Sequence, residues 1–177
     1  MGIQIGARPD SGFDDPIGML TDCHRRIEHF LNILCLVVKR AGTRRMTEEE
    51  SAAIQASLQY FQVGGKRHNA DEEESLFPRL KEGPAPGALE ELNALEHDHQ
   101  VAEGLHSAVE TLYLKWMADG ELAENDRGQL LSETERLRNL YERHIQIEEK
   151  TVFPRAAQLL DGATIQTIGG EFRSRRV

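Results

Sequence analysis

The chain has 177 residues and a formal charge of −9, with 39% hydrophobic and 6% aromatic residues. That length can bury a real core within one domain, and the acidic balance, relieved only by the cluster Arg173-Ser174-Arg175-Arg176, repels duplex nucleic acid. No run of about 18 apolar residues occurs, and the start MGIQIGARPDSGFDDP lacks the basic-then-apolar order of a secretory signal, so no membrane partner is expected and the default compartment is the cytoplasm.

Residues 1–15 read as a polar, Gly-rich lead-in. A first helix has start signals in Asp14, Asp15 and Pro16 and a stop at Gly42. Its apolar stripe runs Leu20, His24, Ile27, Leu31, Leu34, Val38, so a histidine interrupts the core face. Cys23 and Cys35 lie on this helix about 18 Å apart by helical rise, too far for a disulfide, and are expected to be reduced. Thr47-Glu48-Glu49-Glu50 reads as a capping box opening a second helix to about Leu80, with the stripe Ile54, Leu58, Phe61, Gly65, His68, Glu72, Leu76. Pro78 near its last turns reads as a marker of the helix end.

The link Gly83-Pro84-Ala85-Pro86-Gly87 joins two halves. A third helix, about Leu89–Ala118, carries the stripe Leu95, His99, Ala102, His106, Val109, Tyr113. A fourth, about Asn125–Leu160, carries Leu130, Thr134, Leu137, Tyr141, His144, Glu148, Val152. Short links between long helices make neighbours antiparallel, so residues 16–160 are expected to form an all-α, up-down-up-down four-helix bundle built from two repeated helix pairs. Residues 161–177 read as a tail with a short helical turn and a frayed, solvated end.

The repeat carries the chemistry. The stretch from Arg67 to Arg79 returns 76 positions later from Arg143 to Arg155, and the seven positions shared are Arg, His, Glu, Glu, Phe, Pro and Arg. Each copy holds a His and a Glu four residues apart, one turn along a helix face. Upstream, Leu20-x3-His24-x3-Glu28 is echoed by Leu95-x3-His99-x3-Glu103. A single buried histidine is ordinarily a satisfied core residue, but a chance core gives no reason for both halves to keep the same polar pair. Imidazole and carboxylate inside an apolar bundle are costly without a cation. The expected metal residues are therefore His24, His68, Glu72, His99, His144 and Glu148, with Glu72 and Glu148 bridging two ions. Such donors without thiolate suit iron, with manganese or zinc as alternatives.

Other residues have open readings. Glu28 and Glu103 could bind metal, orient an imidazole from behind or face solvent, and the latter two are favoured. His106 is either a core histidine or a neighbour of the centre. Tyr141 is placed either to reach a ligand at the centre or to bond a backbone carbonyl. His29 and His97 lie off the stripes, and Phe77 and Phe153 are expected as an aromatic plug below the glutamates. No residue is assigned a catalytic role.

At these residues the chain resembles the hemerythrin-like family, also called the HHE cation-binding domain, over about residues 16–160. The matching elements are Cys23-His24-Arg25-Arg26-Ile27, His68 and Glu72 ahead of Leu76-Phe77-Pro78, Leu95-Glu96-His97-Asp98-His99, and His144 and Glu148 ahead of Val152-Phe153-Pro154. The resemblance implies a left-handed bundle with an oxo- or hydroxo-bridged di-iron centre. It also implies a function among those of the family: binding O2, NO or peroxide, sensing oxygen or redox state, or helping to rebuild damaged iron–sulfur clusters. Oxygen-carrying members have a His-x3-His pair on the third helix, whereas here His99 is followed by Glu103, which looks like the iron-repair and stress-associated branch. In an alternative register His97 is the ligand; His99 is preferred because it keeps the core stripe.

The expected function is thus a cytoplasmic non-haem di-iron protein that binds or reacts with O2, NO or peroxide in oxygen, redox or nitrosative stress. One alternative is an iron donor or repair protein with an iron–sulfur protein client; another is a structural bundle with zinc or no metal. A homodimer is compatible with either.

Overall fold

A computed structural model describes residues 10–82 and 88–177. The link at 83–87 and the first nine residues of the lead-in lie outside the described residues. All regular structure among the described residues is helical.

Helix α1 spans Pro16–Ala41. Asp15 caps it by accepting the Gly18 N–H at 2.9 Å, and Pro16 occupies the first turn, where its missing N–H is no loss. It stops at Gly42, whose φ of 62° lies in the region that favours glycine. The second rod begins with α2, Glu48–Tyr60, behind the expected capping box. Thr47 Oγ1 accepts the Glu50 N–H at 3.1 Å, and Glu50 accepts the Thr47 N–H at 2.9 Å. The rod continues through a π-turn at Phe61–Gly65, α3 at Lys66–Asp71, a second π-turn at Glu72–Leu76 and α4 at Phe77–Lys81. The third rod is α5, Ala88–Asp119. The fourth comprises α6, Glu124–Ile147, a π-turn at Glu148–Val152 and α7, Phe153–Leu159.

Pro78 and Pro154 lie in the closing turns of their rods, which end at Lys81 and Leu159. Each would clash with the carbonyl four residues back in a regular helix. The chain widens by one residue instead, so that the Phe77 N–H bonds the Glu72 carbonyl and the Phe153 N–H bonds the Glu148 carbonyl. Pro78 thus marks the end of its helix as expected, and both prolines also sit just past the π-turns that open at the repeated glutamates.

The rods form a ring in which α1 packs on α2 and α6, and α5 packs on α6 and the second rod. This is the antiparallel four-helix bundle. The stripes face inward as expected and build two apolar cores. One contains Ile27, Leu34, Ile54, Val109, Trp116 and Leu137; the other contains Leu20, Leu76, Phe77, Leu92, Val152 and Phe153. The repeated histidines and glutamates lie between them in sequence along every rod. Cys23 and Cys35 are buried, free thiols.

The C-terminal segment differs from the expected turn and frayed end. Residues Gly162–Ser174 form helix α8, capped by Asp161, which accepts the Thr164 N–H at 2.8 Å. Ile168 and Phe172, four residues apart, are fully buried in the second core, which gives this helix its reason to dock. A Cβ on Gly169 would lie 1.8 Å from the Phe13 carbonyl oxygen, so only glycine allows that approach. Nor is the arginine cluster a solvated end: Arg175 and Arg176 both bind Asp71.

Candidate metal centre

His24 on α1, His68 on α3, His99 on α5 and His144 on α6 point inward because each replaces an apolar residue on a core stripe. Glu72 and Glu148 open the π-turns one helical turn beyond His68 and His144. All six are sequestered: His24, Glu72 and Glu148 are 0% exposed, His68 and His144 1%, and His99 4%.

Their ligand atoms converge in two clusters. One consists of His24, His68, Glu72 and Glu148, the other of Glu72, His99, His144 and Glu148, and within each the offered atoms lie within 4.8 Å of one another. The two carboxylates belong to both clusters, one oxygen to each. Glu72 Oε1 is 3.3 Å from His68 Nε2 and 4.0 Å from His24 Nε2, while its Oε2 is 3.3 Å from His99 Nε2. Glu148 Oε2 is 3.1 Å from His24 Nε2, and its Oε1 is 3.2 Å from His144 Nε2. His99 Nε2 also lies 3.1 Å from His144 Nε2, two nitrogens that repel unless a proton or a cation sits between them. His24 Nε2 and all four oxygens of Glu72 and Glu148 are buried without a well-formed hydrogen bond from the protein. Buried acceptors in that state call for a cation.

Two of the imidazoles, His24 and His99, are oriented from behind by residues that sequence reasoning did not assign. Glu149 Oε1 lies 2.9 Å from His24 Nδ1, and Glu73 Oε1 lies 2.7 Å from His99 Nδ1. The pairing is crossed, since each half of the chain supplies the carboxylate that holds the other half's histidine. With Nδ1–H donating to the carboxylate, Nε2 presents its lone pair to the centre. Phe153 stacks on His24 and Phe77 on His99 at interplanar angles of 12° and 5°, again crossed, so the expected aromatic plug packs on imidazole faces. A signal was present: the second Glu of the repeated Glu-Glu pair is one of the shared positions. The other two histidines lack such support: His144 Nδ1, 3.5 Å from Asp98 Oδ2, and His68 Nδ1 are buried without a hydrogen-bond partner, and Asp98 accepts from Arg143 at 2.7 Å.

Glu28 and Glu103 do not orient an imidazole. Glu28 pairs with Arg25 at the surface at 2.8 Å, and Glu103 is exposed on a cleft rim. They lie one turn beyond their histidines, whereas the cross-bundle Glu149 and Glu73 are within hydrogen-bond reach. His29 and His97 are exposed. Tyr141 is buried, and its hydroxyl partner is His106 Nε2 at 3.1 Å rather than a backbone carbonyl. The Cys23 thiol accepts from Arg26 at 3.3 Å and is in neither cluster.

The buried groups shift one another's proton affinities. Burial pushes the His24 and His144 pKa values down, but their contacts with Glu148, together with the Glu72 charge, raise both above 6.5. Burial and the neighbouring Glu148 raise Glu72 well above the carboxylate range. Glu148 goes the other way: burial opposes its charge, but His144 and His24 outweigh it and hold the carboxyl well below 4.5. Burial and the adjacent His24 push His68 well below 6.5, so its nitrogen is free to bind. Burial likewise lowers His106 to about 4, which keeps it neutral beside Tyr141.

A cleft of about 910 Å³ between the second rod and α5 reaches this region, with Gly65, Glu73, His99, His106 and Tyr141 in its wall. It brings solvent to one side of the second cluster.

A family model described as "Hemerythrin HHE cation binding domain" matches residues 15–156. No curated protein matches the chain.

Proposed function

The chain belongs to the hemerythrin HHE cation-binding domain family, and from that premise we propose that it is a non-haem di-iron protein that binds or reacts with O2, NO or peroxide in oxygen, redox or nitrosative stress. The observation that carries the reading is the division of Glu72 and Glu148 between two clusters, one oxygen each. Carboxylates arranged in that way could each lend one oxygen to each of two ions. In this reading His24 and His68 hold one ion, and His99 and His144 the other. Two histidines and two carboxylate oxygens per ion are the donors of non-haem iron sites that keep open positions. Iron there supplies redox chemistry and a Lewis acid toward a small ligand.

The protein's own groups support access and selection. The cleft at His99 admits a small molecule beside Gly65, and the Tyr141 hydroxyl, held by neutral His106, offers a hydrogen-bonding group near the second cluster. The buried free thiols accord with a cytoplasmic setting, and no described helix is long and apolar enough to cross a membrane. Anaerobic purification with metal counting, followed by absorption spectra before and after azide, tests the proposal. Two irons per chain and an azide-sensitive band are expected; one zinc per chain, or none, would leave the structural-bundle alternative. The donor alternative, in which iron passes to an iron–sulfur client, draws on the same cleft, because Glu73 behind His99 is 39% exposed. Transfer of iron to an apo-ferredoxin, with loss of the azide-sensitive band, would favour it.

The proton distribution yields a further expected result. His24, His144 and Glu72 all have raised pKa values in the metal-free protein, and each must lose its proton to become a ligand. Metal binding should therefore release protons and strengthen as pH rises above about 6.5, the ordinary histidine value. Zinc titration in weak buffer with a pH indicator measures this. Binding that is indifferent to pH between about 6 and 8 would contradict the proposed ligand set.

A further inference from the structure

We propose that α8 is a clamp on the metal centre, in which Arg175 and Arg176 act through the buried carboxylate of Asp71 to hold the π-turn that presents Glu72 and Glu73. The inference rests on the reading of Glu72 as a ligand.

Asp71 is 0% exposed and precedes Glu72 directly. Arg175 Nη1 meets its Oδ1 at 3.0 Å, and Arg176 donates to Oδ2 at 2.6 Å and to Oδ1 at 3.3 Å. Arg175 also donates to Ser75 Oγ at 2.8 Å and to Glu74 at 3.1 Å. Arg79, itself tied to Glu171 of α8 at 2.7 and 3.1 Å, donates to the Ser75 carbonyl at 2.6 Å. Three arginines thus grip Asp71, Glu74 and Ser75 from outside. The two residues between, Glu72 and Glu73, reach inward to the clusters and to His99 Nδ1.

A π-turn is less regularly hydrogen-bonded than the helix on either side, so its geometry depends on what packs against it. The second copy lacks this clamp. There the positions of Asp71, Glu74 and Ser75 are filled by Ile147, Lys150 and Thr151, although the glutamates between are retained. The acids specific to the first copy are therefore the ones that α8 uses. Without the two guanidiniums, Asp71 would be a buried carboxylate with no counter-charge, and the turn would have to shift to hydrate it. Glu72 and Glu73 would move with it.

The test uses the full chain with cobalt(II) as the probe, its affinity read by competition dialysis and its ligand geometry by visible absorption. Wild type should bind two ions and Glu72→Ala should bind fewer; if neither is seen, the parent reading of the centre fails, and the clamp with it. Arg175→Gln/Arg176→Gln should bind cobalt about 10–100-fold more weakly, the usual size of losing support behind a ligand, with a changed spectrum. Arg175→Lys/Arg176→Lys keeps the charge and should recover a substantial part of that loss. Trp116→Leu, fully buried in the other core, serves as a control for stability alone. If the double Gln variant binds within twofold of wild type with an unchanged spectrum, or loses no more affinity than an equally destabilised Trp116→Leu, the clamp is refuted. Should the double variant not fold, Arg175→Gln alone, which leaves Arg176 on Asp71, is judged by the same spectrum and affinity, with the same outcomes deciding.

Discussion

Replacing His68 or His144 by Ala should strip the centre of metal and lower stability together. Each is one of only two imidazoles in its cluster, and each lies within 3.3 Å of a glutamate oxygen that has no hydrogen-bond partner. A metal bound only by the folded chain contributes about 4 kcal/mol at a thousandfold excess over its Kd. Its loss also leaves Glu72 and Glu148 buried together with one imidazole fewer to offset their charge. Metal per chain and melting curves, each with and without chelator, measure the effect. Wild type treated with chelator should melt near the variants. A variant that keeps wild-type metal content and melting temperature would show that its histidine is not a ligand.

The second large effect separates a reversible oxygen carrier from the proposed reactive centre. Exposing the reduced, iron-loaded protein to O2 should produce an oxidised spectrum that evacuation does not reverse. Each cluster contains two glutamate oxygens beside two histidine nitrogens, and anionic donors favour the higher charge state of iron. Moreover, Glu103, the residue one turn after His99, is exposed rather than turned toward the centre, so no fifth protein nitrogen compensates. Tyr141→Phe tests the hydroxyl held by His106. If that hydroxyl reaches the small ligand, the oxidation rate should fall by about 100-fold, the lower end of the range seen on removing one preorganised donor. Absorbance over repeated oxygenation and evacuation cycles decides the main point, and full recovery over several cycles would make this a carrier or store.

The site is legible in the sequence for a physical reason. A histidine on an apolar stripe must be either satisfied or bound, and at His24, His68, His99 and His144 the stripe periodicity of 3.6 residues translates directly into an inward direction. The second copy of His-x3-Glu removes coincidence. The same periodicity predicts that Leu20, Ile54, Val109 and Leu137 are buried, and they are, at 0–1% exposure. Glu28 and Glu103 show where local spacing stops helping. They repeat as faithfully as the core pairs, yet one salt-bridges Arg25 and the other meets solvent, because sequence spacing along one helix says nothing about which neighbouring helix comes close.

The sequence by itself determined the four rods of the bundle, their inward faces, the two-copy organisation and the six converging donors, since all of these follow from local periodicity and from the cost of burying unpaired polar groups. Tertiary structure alone decided the rest. It set which carboxylate stands behind which imidazole: Glu149 on His24 and Glu73 on His99, across 125 and 26 residues of chain. It also decided that Pro78 and Pro154, in the closing turns of their rods, are each preceded by a π-turn, because one wider turn relieves the clash with the carbonyl four residues back. And it turned a tail with the look of a solvated end into α8. Ile168 and Phe172 are too few to signal a helix in isolation, but the exposed end of a core gives them a surface to cover, and Asp71 gives Arg175 and Arg176 a buried charge to neutralise.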